Sequence, residues 1–399
     1  MMQSVNTVSL RTGYRIESID LLRGLVMIIM ALDHVRDYFH WSSQIYNPTD
    51  LTHTSVPIFF TRWITHFCAP VFVFLSGTSA YLIGIRRGKV GLSAFLFKRG
   101  LWLVVLELII INFGWFFNIH FTFVVLQTIW ALGFSMIVLA ALVHLPKRAI
   151  LIIAVLLISA HNLLDPVHVA GQNAEALGWA LLHDQKLFIF KPFALLVGYP
   201  VLPWIGAMAA GYCLGGLYTN CGAPTRKKML LYMGFGTIII FILVRYINIY
   251  GDQLHWSVQA TPAFTFLSFL NVTKYPPSLL YILMTLGPAL IFLALTERPM
   301  NKFGKVISVY GRVPLFYYVL HIYLIHLAAM LAASLTGFNW SDMILNSFPG
   351  NIPSLRGYGF PLWFVYTIWL ILVMALYPLC RWYDKYKTSH KQNWWLSYL

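Results

Sequence analysis

The stretch Glu17-Ser-Ile-Asp20-Leu-Leu-Arg23-Gly-Leu-Val-Met-Ile-Ile-Met-Ala-Leu-Asp33-His34-Val-Arg36-Asp37 combines two properties that rarely occur together. It is long and apolar enough to cross a bilayer, which takes about 20 residues. Yet Asp20, Arg23, Asp33, His34, Arg36 and Asp37 are threaded through it. A charge at the centre of a membrane helix costs ~2.5–3.5 kcal/mol on insertion scales. Such charges persist where they face protein or a wet cavity, and there they mark a functional site by default.

The rest of the chain has the same character. Of its 399 residues 59% are hydrophobic and 10% charged, against about 25% charged in an average soluble domain. Ten segments read as membrane helices: 17–38, 58–85, 95–117, 121–145, 148–164, 197–219, 228–249, 276–296, 308–336 and 360–383. The short amphipathic stretch 186–195 reads as interfacial. The expected fold is therefore all-α, a polytopic membrane bundle of about ten helices forming one domain over 1–399. Residues 1–16 and 384–399 are its cytoplasmic ends. Met1–Tyr14 is polar, without the apolar core and cleavage site of a signal peptide. The longer loops 39–57, 165–196, 250–275 and 337–359 are expected to cap the outer mouth.

Lys and Arg sort unevenly between alternate loops. Of the 28, 21 fall on one side, among them Arg11, Arg15, Arg86, Arg87, Arg226, Lys385 and Lys391. The other side keeps Arg36, Arg62, Lys186, Lys191, Arg245, Lys274 and Arg356. The positive-inside rule puts both termini in the cytoplasm. The net charge of +15 is thus topological, and no nucleic-acid partner is expected. Cys68, Cys213, Cys221 and Cys380 are scattered without metal or disulfide spacing, and no metal is expected.

On a helix at 100° per residue, Asp20, Arg23, Met27, Ala31 and His34 fall in one stripe about 80° wide. Asp20 and Arg23 are one turn apart and can pair. His34 lies about 16 Å further along the axis, with Asp33 about 100° off its face. A histidine in a low-dielectric site is suited to general-base chemistry, and a guanidinium at the cytoplasmic end to a phosphate-bearing ligand. The plainer alternative is an Asp20–Arg23 pair that locks helices, with Asp33 and Arg36 as interfacial anchors.

These residues carry a resemblance. The spacing Arg23-x10-His34, preceded by Ile-Asp20-Leu-Leu, resembles a motif on the first helix of membrane acyltransferases that modify surface sugars. Three further strings look closer to bacterial relatives of heparan-alpha-glucosaminide N-acetyltransferase. They are Arg62-Trp-Ile-Thr-His66-Phe-Cys-Ala-Pro70-Val-Phe-Val-Phe-Leu-Ser-Gly77; Leu202-Pro203-Trp204-Ile-Gly206 followed by Ala-Gly211-Tyr-Cys-Leu-Gly215; and Gly311-Arg312 followed by Tyr318-Val-Leu-His321. The resemblance implies a cytosolic acyl-CoA donor, acetyl-CoA as co-substrate, and a sugar or glycolipid acceptor acylated on the outer side. It also implies a homodimer in the lipid of a bacterial cytoplasmic (inner) membrane. His34 would be the base, with Asp33, Asp20 or His66 orienting the groups around it. Arg23, Arg99 and Arg312 would hold the CoA phosphates. The lysosomal member of the family is thought to use a histidine of its first lumenal loop, where this chain offers His40 and His53.

Other polar positions have two readings each. His66, four residues before Pro70, lines an acceptor pocket with His34 or bonds a neighbouring helix. Glu107 is mid-membrane and requires a proton or a partner. Gln127 and Trp130 bond a ligand or another helix. No Walker loop, dinucleotide fingerprint, HExxH or nucleophile elbow is present. Two rival functions stand beside acyl transfer: a proton-coupled transporter or flippase of an envelope precursor, and a haem protein ligated by histidines among His34, His66, His161, His321 and His326. No haem is expected on the favoured reading.

Overall fold

The computed structural model describes residues 16–348 and 352–390, with 392, 393 and 396. The topological readings placed on Arg11, Arg15 and Lys391 lie outside them. The described chain is mostly helical. In order it runs α1 (Glu17–Phe39), α2 (Val56–Thr65), α3 (Cys68–Leu106), a π turn (Glu107–Ile111), α4 (Asn112–Phe116), β1 (Phe123–Leu126), α5 (Thr128–Leu142), α6 (Lys147–Ser159) and α7 (Ala174–Leu182). Then follow β2 (Lys186–Phe190), β3 (Phe193–Val197), α8 (Leu202–Gly215), α9 (Leu217–Asn220), α10 (Ala223–Ile247), α11 (Pro262–Leu270), α12 (Leu279–Leu295), α13 (Lys302–Arg312), α14 (Pro314–Leu335) and α15 (Leu362–Ser389). By length and composition, three of the described helices are apolar and long enough to cross a membrane: α10, α14 and α15.

The expectation of an all-helical chain needs one correction. Residues 186–190 and 193–197 are strands, and 121–126 do not continue into α5. These segments make a three-stranded sheet of order β1-β3-β2, with β1 parallel and β2 antiparallel to β3. The run Phe123-Val-Val-Leu126 is β-branched and aromatic, which favours extended backbone. Its buried polar groups are satisfied sideways. The side chain of Asn112 accepts from Val125 N at 2.7 Å and donates to Val125 O at 3.1 Å, like a missing strand edge. Glu107 has a related task. It is fully buried, and its Oε2 accepts from Trp130 N at 3.0 Å at the start of α5. Its carboxyl meets orphan N–H groups at that helix N-terminus.

Several expected spans are broken at chemically intelligible points. Segment 58–85 is interrupted at His66–Phe67, between α2 and α3. Pro70 cannot donate to the carbonyl four residues earlier, and that carbonyl, on His66, instead accepts from the Tyr281 hydroxyl at 2.8 Å. Segment 308–336 breaks at Val313, which has non-helical dihedrals between α13 and α14. Within α3, Gly88 takes φ +68° and turns the chain back into a second helical half. Two helix crossings depend on glycine. A Cβ on Gly24 would lie 2.1 Å from Ile307 O, and one on Gly311 would lie 2.0 Å from Asp20 O, so α1 and α13 touch backbone to backbone. Gly77 and Gly211 play the same part between α3 and α8. Close approach through small residues is how helices pack where lipid provides no hydrophobic drive.

The loops after α10 form a fixed cap. Arg245 is buried and donates to the carbonyls of Leu254, Ser268, Phe269 and Asn271. Burial pushes the Asp252 carboxyl above its ordinary pKa, while bonds from Ser278 and Thr273 oppose that shift.

Candidate functional site

Two cavities run through the helical body. The first, of about 530 Å³, has a basic mouth formed by Arg23, Arg86, Arg87, Arg99, Arg312 and Lys387. Its walls are apolar, with Met27, Met30, Phe72, Leu103 and Leu132 prominent. The second, of about 500 Å³, is lined from the loop side by Tyr46, Asn47, Gln127, Gln185, Tyr275 and Phe348, among others. Asp33, His34, Thr128, Tyr199, Lys274 and Tyr318 line both. The cavities therefore meet at His34.

His34 is held in a defined orientation. Its Nδ1 is 2.8 Å from His321 Nε2 on α14, and His321 Nδ1 is 2.8 Å from the carbonyl of Tyr317. A carbonyl only accepts, so His321 Nδ1 carries the proton. In a neutral ring His321 Nε2 is then the acceptor, and His34 Nδ1 must donate to it. This leaves the lone pair of His34 on Nε2, which is the state a general base requires. Trp115 packs its ring edge-on against His34 at 4.8 Å and Tyr318 does so at 5.9 Å. Both contacts restrict the imidazole without using its nitrogens.

Asp33 is clamped between two guanidiniums, at 2.8 Å from Arg36 and 2.5 Å from Arg62. Arg36 also pairs with Asp37 at 2.5 Å. The charges at the C-terminal end of α1 thus compensate one another within a largely buried cluster that ties α1 to α2. Asp20 is 3.6 Å from Arg23 and lies at the α1–α13 crossing, far from His34 along the helix. Arg23 donates to Ser79 Oγ at 2.8 Å, tying α1 to α3 at the basic mouth. Arg312 donates to Asp384 at 2.8 Å through two nitrogens and to Ser308 Oγ at 2.9 Å. Arg99 lies 6.0 Å from the Phe95 ring centroid and lines the mouth beside it.

Of the residues singled out in the sequence, the structure gathers His34, Asp33, Arg23, Arg99 and Arg312 on one cavity. His66 and Trp130 line neither cavity. The His66 ring is buried 5.5 Å from Tyr281, and the Trp130 ring packs on Phe134 at 5.3 Å. The loop histidines are also elsewhere. His40 is buried against Ser42, where burial lowers its pKa to about 4. His53 is exposed and bonded to Asp50, holding that carboxyl down at about 2.

Sequence reasoning passed over His321 as the partner of His34, and Lys274, Tyr199 and Thr128 at the junction. His321 was within reach, since it stands in the string Tyr318-Val-Leu-His321. Lys274 carried no signal beyond its loop. At 2.8 Å the nitrogens of His34 and His321 bond each other rather than facing a shared iron, and His326 spends its nitrogens on the carbonyls of Gly114 and Met343. Among the described residues, no group of three or more His, Cys, Asp or Glu is placed to hold a metal ion.

The chemistry available is thus an oriented imidazole base where a basic-mouthed, largely apolar cavity meets a second cavity of mixed polarity lined from the loop side. Comparison with curated proteins returns no match. Comparison with protein families matches residues 15–245, more than half of the chain, to the family described as "Heparan-alpha-glucosaminide N-acetyltransferase, catalytic". The match spans α1 to α10, while Lys274, Arg312, Tyr318 and His321 complete the same cavities from beyond it. Cavities, imidazole pair and sequence match agree, and the chain belongs to the heparan-alpha-glucosaminide N-acetyltransferase catalytic family.

Proposed function

We propose that this membrane acetyltransferase moves an acetyl group from cytosolic acetyl-CoA to a hydroxyl or amine of an envelope sugar or glycolipid on the opposite side of the membrane. The observation that carries this reading is the meeting at His34 of two cavities, one with a basic mouth and one lined from the loop side.

The CoA phosphates sit at the basic mouth, on Arg23, Arg99 and Arg312 with Arg86, Arg87 and Lys387 beside them. Arginine forks suit phosphate geometry. The pantetheine arm follows the apolar walls, and the ~16 Å from Arg23 to His34 along α1 matches its extended reach. The acceptor enters through the second cavity. His34 Nε2 takes the proton of the attacking hydroxyl or amine and returns it to the departing CoA thiolate. His321 fixes the tautomer. Asp33 holds Arg62 and Arg36 in place beside the base, and Asp20 steadies Arg23. His66 and Trp130 act from behind the cavity walls, as supports rather than contacts.

The chain is one unit over 1–399, with about ten crossings and both termini cytoplasmic, in a bacterial cytoplasmic membrane. The exposed apolar faces of α10 and α15 meet lipid or a second copy of the chain.

Purified protein supplied with labelled acetyl-CoA and envelope glycans tests the proposal directly. Transfer of label to glycan, lost in His34→Ala, is the expected result. Folded protein that neither binds acetyl-CoA nor transfers label overturns it. A path from both ends also suits a transporter, which would instead move an envelope precursor into liposomes without consuming acetyl-CoA.

A further inference from the structure

The junction of the cavities contains one group without an assigned task. Of the six residues that line both, Lys274 is the single cation. Among the described residues, its Nζ has no hydrogen bond or ion pair. It lies over the ring of Tyr275, 5.2 Å from the centroid. The neighbouring carboxylate, Asp33, is already committed to Arg36 and Arg62. Lys274 is half-buried, and its ammonium, held by no direct protein partner among the described residues, is open to a ligand at the point where the two cavities meet.

The segment bearing Lys274 is also fixed in place. Asp252 accepts from Thr273 N at 2.9 Å, from Thr273 Oγ1 at 2.8 Å and from Ser278 Oγ at 2.5 Å. Ser278 N closes the turn on Thr273 O at 3.1 Å. Asn271 at the near end donates to Thr49 O at 3.0 Å, and its own carbonyl accepts from Arg245 at 2.6 Å. A charge on a pre-set turn, at the point where donor and acceptor meet, has the properties of a preorganised electrostatic stabiliser.

We propose that Lys274 is a catalytic residue of the transfer step, its ammonium binding the thioester oxygen as that oxygen becomes an oxyanion. This rests on the acyl-transfer reading above. The acceptor O–H or N–H bond breaks, its proton passes to His34 Nε2, and a new C–O or C–N bond forms. The carbonyl π pair moves onto the oxygen facing Lys274 Nζ. Collapse restores the carbonyl and breaks the C–S bond, and the CoA thiolate leaves with the proton from His34. Lys274 remains protonated throughout. The rival role, gripping an anionic group on the acceptor, would place the lysine in the acceptor chamber alone, whereas it lines both cavities.

The test uses full-length protein in nanodiscs, as wild type, Lys274→Met and Lys274→Arg. Acetyl-CoA affinity is read first, then kcat and KM for acetyl-CoA and for the glycan acceptor. The expected result is unchanged acetyl-CoA affinity in Lys274→Met, which also certifies its fold, with kcat down about 100- to 1,000-fold, the usual cost of one oxyanion donor. Neither KM should move more than a few-fold, and Lys274→Arg should recover part of kcat. Lys274→Gln replaces the Met variant if that protein aggregates. Full kcat in the charge-free variant overturns the proposal, as does a defect confined to the acceptor KM. A wild type that binds no acetyl-CoA brings down the acyl-transfer reading itself, and is seen before any variant is compared.

Discussion

The decisive residue-scale feature is a chain of two hydrogen bonds, Tyr317 carbonyl to His321 to His34. Each link fixes a proton, and together they leave the lone pair of His34 on Nε2, in a residue that lines both cavities. General-base catalysis contributes typically 10²–10⁴-fold, so His34→Ala is expected to lower kcat by about that factor with acetyl-CoA affinity preserved. His321→Ala should lower kcat less, by about ten-fold or more, and leave both KM values near wild type, because it releases the orientation of the base without removing it. Steady-state kinetics on the two variants checks both statements. Equal activity in His34→Ala and wild type would return the search to the loop histidine His53, which is exposed.

At the scale of elements, the site depends on helices that touch through glycine and on loops tied by buried charge. Gly311→Leu pushes a side chain into Asp20 O and forces α13 away from α1. Overpacking of this sort costs ~1–3 kcal/mol or more. The basic mouth should open with it, since Arg23 donates to Gly311 O at 3.3 Å as well as to Ser79. A lower unfolding midpoint and weaker acetyl-CoA binding are the expected readouts. Asp252→Ala removes the acceptor for Thr273 N and Ser278 Oγ. A buried donor left unsatisfied costs ~1–3 kcal/mol, so thermal unfolding should shift down, and kcat should fall as the Lys274 turn loosens.

For the whole molecule, the two cavities give the chain a polarity. The basic mouth predicts that Arg86→Gln with Arg87→Gln raises KM for acetyl-CoA several-fold while leaving kcat little changed, a pattern of lost ground-state binding. Cys221 tests which way the polarity runs. Cys68, Cys213 and Cys380 are buried, whereas Cys221 is partly exposed beside the basic start of α10. A membrane-impermeant maleimide should label Cys221 in inside-out vesicles and spare it in intact cells. The opposite pattern would invert the proposed orientation and with it the side from which the donor enters.

The sequence by itself determined the helical character, the charged first helix and the stripe that carries Arg23 and His34, because hydropathy and helical period are local properties. It also carried the family, through strings whose glycines turn out to be helix contacts. Only the tertiary structure decided the rest. Phe193–Val197 became a strand by pairing with β1, and Lys186–Phe190 by pairing with that strand in turn. The tertiary structure buries the His66 ring beside Tyr281, lining neither cavity, a placement that helical period alone does not report. His321 and Lys274 stand 287 and 240 positions from His34 in the chain. No local pattern reports which distant side chains share one cavity, and a general base acquires its direction from just such a neighbour.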